Sequence, residues 1–184
     1  MLRVPPASRE VIPEHLRNVF DSVAEKRRPE GMHATLLYSP EACVRAHHWV
    51  DYLRNETGCL PKPLRELAML VVARERDCQY IWNAHAVMGR NAGLSADLVS
   101  ALRDKKPLPA TTKPEEHALI AFGQEYYRTA RISQKTFDQA RDSFGVQGVA
   151  ELTMLMGFYA MLAFNAAAFN IEVPAGGSEP LLPI

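Results

Sequence analysis

The stretch ELAMLVVARERDCQYIWNAH, residues 66–85, decides how this chain of 184 residues is read. Glu66 stands in a helical pattern whose face continues through Met69, Leu70 and Ala73, all apolar. That pattern turns a carboxylate inward, where it needs a partner. Cys78, Trp82 and His85 follow at i, i+4 and i+7, so they share one face of a second helix. His85 is the candidate partner of Glu66, and a buried carboxylate near an imidazole and a thiol is an arrangement suited to catalysis. Cys78 lies at the start of its helix, where the dipole favours a thiolate. His85 is two turns further on, about 10 Å in axial rise, too far to touch Cys78 without a bridging group.

The rest of the chain reads as helices. Val11 to Lys26 is amphipathic with Pro13 near its start, and RRPEG ends it. Ser39 followed by Pro40 marks the start of a helix to about Asn55, and TGCLPKP is a turn rich in breakers. Pro63 to Arg76 carries Glu66, and the Cys78 helix stops at Gly93. Ser95 caps a short helix to about Arg103. Residues 104–114 form the one long loop, too short to divide domains. Pro114 to Arg131 is helical. Ser133 opens a helix that stops at Gly145, and the last helix runs from Val146 to Asn170. The tail VPAGGSEPLLPI is expected to be extended. Neither strand alternation nor a fixed-period repeat is present. The expectation is one all-α domain of about eight helices: an N-terminal extension over residues 1–35, a core over 36–174 and a tail over 175–184.

Bulk properties narrow the function. Twenty-one basic and twenty-one acidic residues cancel, leaving no excess to hold nucleic acid or an anionic membrane. Three cysteines, with no CxxC and no zinc spacing, read as free thiols in a reducing compartment. The N-terminus has no apolar core of a secretory signal, so a cytoplasmic location is expected. Leu152 to Ile171 has no charged residue and reaches membrane-spanning length. Its polar residues and its acidic flanks, Glu151 and Glu172, fit a helix buried in a domain or between subunits better than one in lipid.

From Glu66 to His85 the chain resembles the AhpD-like/carboxymuconolactone decarboxylase superfamily, whose alkylhydroperoxidase branch reads E-x11-C-x2-C-x3-H. Glu66, Cys78 and His85 match; Ile81 stands where the second thiol would be. LPKPLRELAMLVVAR, the NAGLS after the histidine and FNAAAFNIEVP also look like the decarboxylase-type members, over roughly residues 36 to 174. The resemblance implies the helical fold of that superfamily and a homotrimer or hexamer. It does not fix the reaction.

The candidate catalytic residues are therefore Glu66, Cys78 and His85, with Trp82, Arg74 and Tyr159 as candidates for holding a small-molecule substrate. Trp82 is either a pocket wall or core, and Tyr159 either lines the pocket or makes a local bond. His47, His48 and His117 have no matching ligand set, so no metal is expected, and no organic cofactor is implied. Three readings stay open. Acid–base chemistry, such as decarboxylation of a small acid or lactone, needs only His85 tuned by Glu66. Peroxide reduction needs a thiolate and a resolving thiol, which Ile81 removes, leaving a single-cysteine cycle. The third reading is a non-catalytic oligomer.

Overall fold

A computed structural model describes residues 1–55, 58–177 and 179–184. Among them lie eight α-helices and no strand: α1 Arg17–Ala24, α2 His33–Leu36, α3 Pro40–Arg54, α4 Lys62–Glu75, α5 Gln79–Asn91, α6 Ala96–Arg103, α7 Pro114–Thr129 and α8 Gln134–Phe169. The chain is thus all-α, as its caps and periodicity predict. Ser95 and Ser133 each accept the backbone N–H three residues on, the N-cap bond that their sequence positions call for. Gly145 has φ 70° and breaks α8 into two arms, so the expected stop is real although the helix resumes at once.

The α4 helix is the axis of the fold. Its residues from Leu64 to Arg74 are all buried, and α5, α7 and α8 pack around it. A helix enclosed on all sides reads as nearly continuous apolar sequence rather than a stripe. At Gly123 three helices converge: a Cβ there would come 2.7 Å from Val71 Cγ1 of α4 and 2.8 Å from Met156 Cε of α8. Only the bare backbone of α7 fits.

Two expectations are corrected at the N-terminus. The helix expected from Val11 begins only at Arg17, after a 3₁₀ turn over Glu14–Leu16. Pro13 supplies no N–H and precedes that turn, and Val11 is exposed rather than packed. The short α2 is absent from the sequence reading because four residues carry no periodicity. It matters nonetheless. His33 Nε2 meets His47 Nε2 of α3 at 2.9 Å, and Cys43 Sγ lies 3.4 Å from His47 Nδ1. His47 is therefore half-buried in a chain of bonds, whereas His48 and His117 are exposed. Burial, with His47 adjacent, pushes His33 down to about 4, and burial pushes the Cys43 thiol up to about 11. The N-terminal segment forms its own apolar cluster, with Ala7, Ile12, Phe20 and Val23 against Leu37 and Cys43. Part of the expected TGCLPKP turn, at Thr57, lies outside the described residues.

Among the described residues one helix, α8, is long and apolar enough to cross a membrane. Its inner face, with Leu152, Leu155, Met156, Tyr159 and Ala163, is buried against the bundle. Its outer face is exposed and uncharged through Val146, Met154, Met161 and Phe164. The tail after α8 has neither helix nor strand, as expected, with Ser178 outside the described residues.

Gly123→Val is expected to cost about 1–3 kcal/mol of stability, since two added methyls must enter space held by the stiff Val71. Chemical denaturation of the variant beside the parent protein measures it.

Candidate active site

The turn between α4 and α5 sets the geometry. Asp77 takes the left-handed conformation, φ 46°, and the Cys78 N–H donates to the Ala73 carbonyl at 2.8 Å. This closes α4 in the manner of a Schellman motif, with Asp77 where glycine is commonest. The Asp77 carboxylate is held by Arg74. Cys78 is at once the residue that closes α4 and the N-cap of α5. Helices leaving such a turn run antiparallel, so residues equidistant from it face each other. Glu66 and His85 lie on the two sides of this turn and meet across it.

His85 Nδ1 and Glu66 Oε2 are 2.7 Å apart, with His85 6% and Glu66 5% exposed. A carboxylate only accepts, so the ring proton sits on Nδ1 and donates to Glu66. That leaves Nε2 as the nitrogen able to exchange a proton with a ligand. At Gly89, one turn after His85, an added Cβ would come 2.9 Å from Leu94 Cδ1 and 3.3 Å from Leu70 Cδ1, with Glu66 Cβ at an ordinary 3.7 Å. Neither Arg65 nor Arg74 pairs with Glu66. Arg65 donates to the carbonyls of Asn55 and Leu60, and Arg74 to Asp77 and, at 2.9 Å, to the carbonyl of Pro183.

Cys78 is 7% exposed, and burial raises its thiol above the ordinary range, against the lowering effect of the Ile81 and Tyr80 backbone N–H groups at the start of α5. Desolvation outweighs the helix terminus. Ile81, in the place of a second thiol, is itself buried, and Cys43, Cys59 and Cys78 are all free. Trp82 is enclosed at 1% exposure, and its Nε1, a donor, has no partner among the described residues. The Tyr159 ring meets the His85 ring edge-on, centroids 5.1 Å apart, and burial pushes its phenol up to about 12, so it stays protonated at neutral pH. Asn165, the other polar residue of that arm, accepts from the Thr35 hydroxyl of α2 at 2.7 Å and is not part of the cluster.

The sequence reading gave Arg74 a substrate and gave Gln79 and Asn83 nothing. The structure commits both terminal nitrogens of Arg74 within the chain, leaving only its buried Nε without a partner. It also binds Gln79 and Asn83 to the tail, at Leu182 and Glu179. No local signal announces contacts across about a hundred residues of sequence. The surface clefts between α1 and α3 and along α7 and α8 are lined by other residues than Glu66, Cys78, Trp82 and His85.

Residues 43–123 match the model of the carboxymuconolactone decarboxylase family. Together with the fold, this match supports a likeness to the AhpD-like/carboxymuconolactone decarboxylase superfamily. No curated protein matches it significantly in sequence. Among solved structures it is similar to an uncharacterized peroxidase-related protein with an alkylhydroperoxidase AhpD core from Ralstonia eutropha JMP134, with a TM-score of 0.74 and 18% identity over 95% of this chain and 93% of that one. A putative antioxidant defence protein AhpD from Agrobacterium tumefaciens gives 0.65 and 16%, over 79% and 99%. The debrominase Bmp8 gives 0.70 and 15%, over 94% and 92%. At these identities the likeness establishes the fold, and a fold shared by a debrominase and peroxidase-related proteins leaves the reaction to the site's own chemistry.

Because burial raises the Cys78 thiol, its alkylation by iodoacetamide is expected to be slow at pH 7. The rate should climb with pH through an inflection above about 8.5, the ordinary thiol value. Peptide mass spectrometry across a pH series measures it; an inflection below that value would contradict the dominance of desolvation.

Proposed function

We propose that this chain is an acid–base enzyme of the carboxymuconolactone decarboxylase type, acting on a small organic acid or lactone through Glu66 and His85. The observation that carries the reading is the enclosed 2.7 Å bond from His85 Nδ1 to Glu66. It fixes the ring and leaves Nε2 to work on substrate. In decarboxylation the electrons of the breaking C–C bond pass to the substrate as carbon dioxide leaves. The proton on Nε2 of the imidazolium then goes to the resulting carbanionic carbon, and solvent restores it. The unpartnered Trp82 N–H calls for an acceptor on the substrate, since a buried donor left unpaired costs about 1–3 kcal/mol. The neutral Tyr159 packs edge-on against the His85 ring. No metal or organic cofactor enters this scheme, and three free thiols suit a reducing, cytoplasmic setting.

A second reading rests on one feature, the backbone N–H groups of Tyr80 and Ile81 that favour a Cys78 thiolate. It makes the chain a single-cysteine peroxidase that relies on an external thiol. The two readings part on substitution. Assayed for carbon dioxide release from carboxymuconolactone and related lactones, His85→Ala is expected to lose at least ~100-fold in kcat/KM, while Cys78→Ser stays within a few-fold. Hydroperoxide consumption that Cys78→Ser abolishes would move the second reading to first place.

The assembly is a proposal of the same standing. The outer face of α8 exposes Phe164 at 76% and Val146 at 70%, continuous with Met154 and Met161, and no charge interrupts it. Patches of this kind are normally covered. A second and third copy of the chain covers it in the homotrimer or hexamer that we propose. Sedimentation at micromolar concentration is expected to show that oligomer, and Met161→Lys with Phe164→Lys to yield a monomer of unchanged helix content. A monomeric parent protein would end the proposal.

A further inference from the structure

We propose that residues 179–183 form a strap that closes the site at Cys78, and that release of this strap admits reagents and substrate to the thiol and to His85 behind it. For substrate, the inference rests on the acid–base reading above; for access to Cys78 it stands alone.

The α4–α5 corner lies at the surface. Arg76 and Asp77 are exposed and Gln79 and Tyr80 half-exposed, yet Cys78 between them is buried. The segment bound at this corner is the end of the chain. The Gln79 side-chain amide grips the main chain of Leu182 at two points: its Nε2 donates to the carbonyl at 3.0 Å, and its Oε1 accepts the N–H at 2.7 Å. Arg74 donates to the Pro183 carbonyl, Asn83 donates to the Glu179 carbonyl at 3.3 Å, and Arg90 pairs with the Glu179 carboxylate. These partners follow α5 from Arg90 back to its first residue and end on the last turn of α4, so the segment crosses the mouth of the hairpin.

The attachment is a side-chain clamp on an extended main chain. Its one deeply buried apolar anchor is Leu182, 4% exposed, which sits in the same core as Cys78 and Trp82. Leu181 and Ile184 on either side face solvent. A segment without helix or strand, held by a few hydrogen bonds at the surface and one side chain, belongs to the part of a protein that opens locally long before it unfolds.

What it covers is functional in kind. The Pro183 carbonyl takes a terminal nitrogen of Arg74, a buried guanidinium on the last turn of α4 and a group suited to a substrate carboxylate. A substrate carboxylate that takes this N–H must displace the Pro183 carbonyl from it, so strap and anionic substrate compete there. The unpartnered Trp82 N–H, one turn inside Cys78, is a donor waiting behind the closed strap. A sealed site with an orphan donor and a loosely held cover is what a gated pocket looks like when shut.

The test reads alkylation of the full-length protein by iodoacetamide, resolved for each cysteine by mass spectrometry, together with hydrogen exchange of the C-terminal peptide. Leu182→Asp removes the anchor from outside the hairpin, and Gln79→Ala removes the two-point grip. Each is expected to speed exchange over residues 179–184 and to raise the Cys78 alkylation rate about tenfold or more. Cys43, buried in the separate N-terminal cluster, should keep its slow rate. Faster tail exchange with an unchanged Cys78 rate would overturn the strap. So would a parallel rise at Cys43, which signals general unfolding, and so would unchanged exchange in both variants. If Leu182→Asp does not fold, Gln79→Ala decides alone. Alkylation needs no turnover, so a failed decarboxylation assay leaves this result untouched.

Discussion

A carboxylate inside the most enclosed helix of the bundle is the constraint on which the rest depends. Glu66 is buried on α4, and an ionised carboxylate without partners there would cost far more than a small domain's margin of stability. Its 2.7 Å bond to His85 meets that need and thereby fixes how α5 lies on α4. The register must bring position 85 opposite 66. The turn must be short and sharp, which Asp77 achieves by adopting the left-handed conformation with its carboxylate held by Arg74. The same bond leaves one imidazole nitrogen uncommitted in an enclosed site. Structure and proposed chemistry thus rest on a single contact.

Cys78 shows how one position serves two structural roles and acquires its chemistry from their conflict. As N-cap it faces the free N–H groups of α5, which favour a thiolate; as the residue that closes α4 it is drawn into the core, which favours a thiol. Burial is the larger effect. Ile81, three residues on, is itself buried and offers no thiol with which Cys78 could form a disulfide.

The longest helix carries two different surfaces. Its inner face supplies Tyr159 to the His85 ring and packs beside Gly123. Its outer face exposes Val146, Met154, Met161 and Phe164. Beyond α8 the chain turns back to bind Arg74, Gln79, Asn83 and Arg90. The end of the chain thus returns to the hairpin that the middle of the sequence builds.

The amino-acid sequence by itself determined the helices and the identity of the central pair. Ser95, Ser133, Gly93 and Gly145 act on their own neighbours, so their effects are legible wherever they occur. The spacing of Glu66 and His85 about a breakpoint near Asp77 is likewise local arithmetic on helical geometry. Failures came where locality ends. A four-residue helix at His33, the start of α1 after Pro13 and the partner of Asn165 are set by packing against segments far along the chain. Arg74 looked free for a ligand because nothing near it in sequence reveals Pro183. Only the tertiary structure decided that Cys78 and His85 are buried, that the Trp82 N–H has no partner among the described residues and that the tail binds Arg74, Gln79, Asn83 and Arg90. Those facts depend on which surfaces meet, and periodicity within one element records the side it buries but not the segment that buries it.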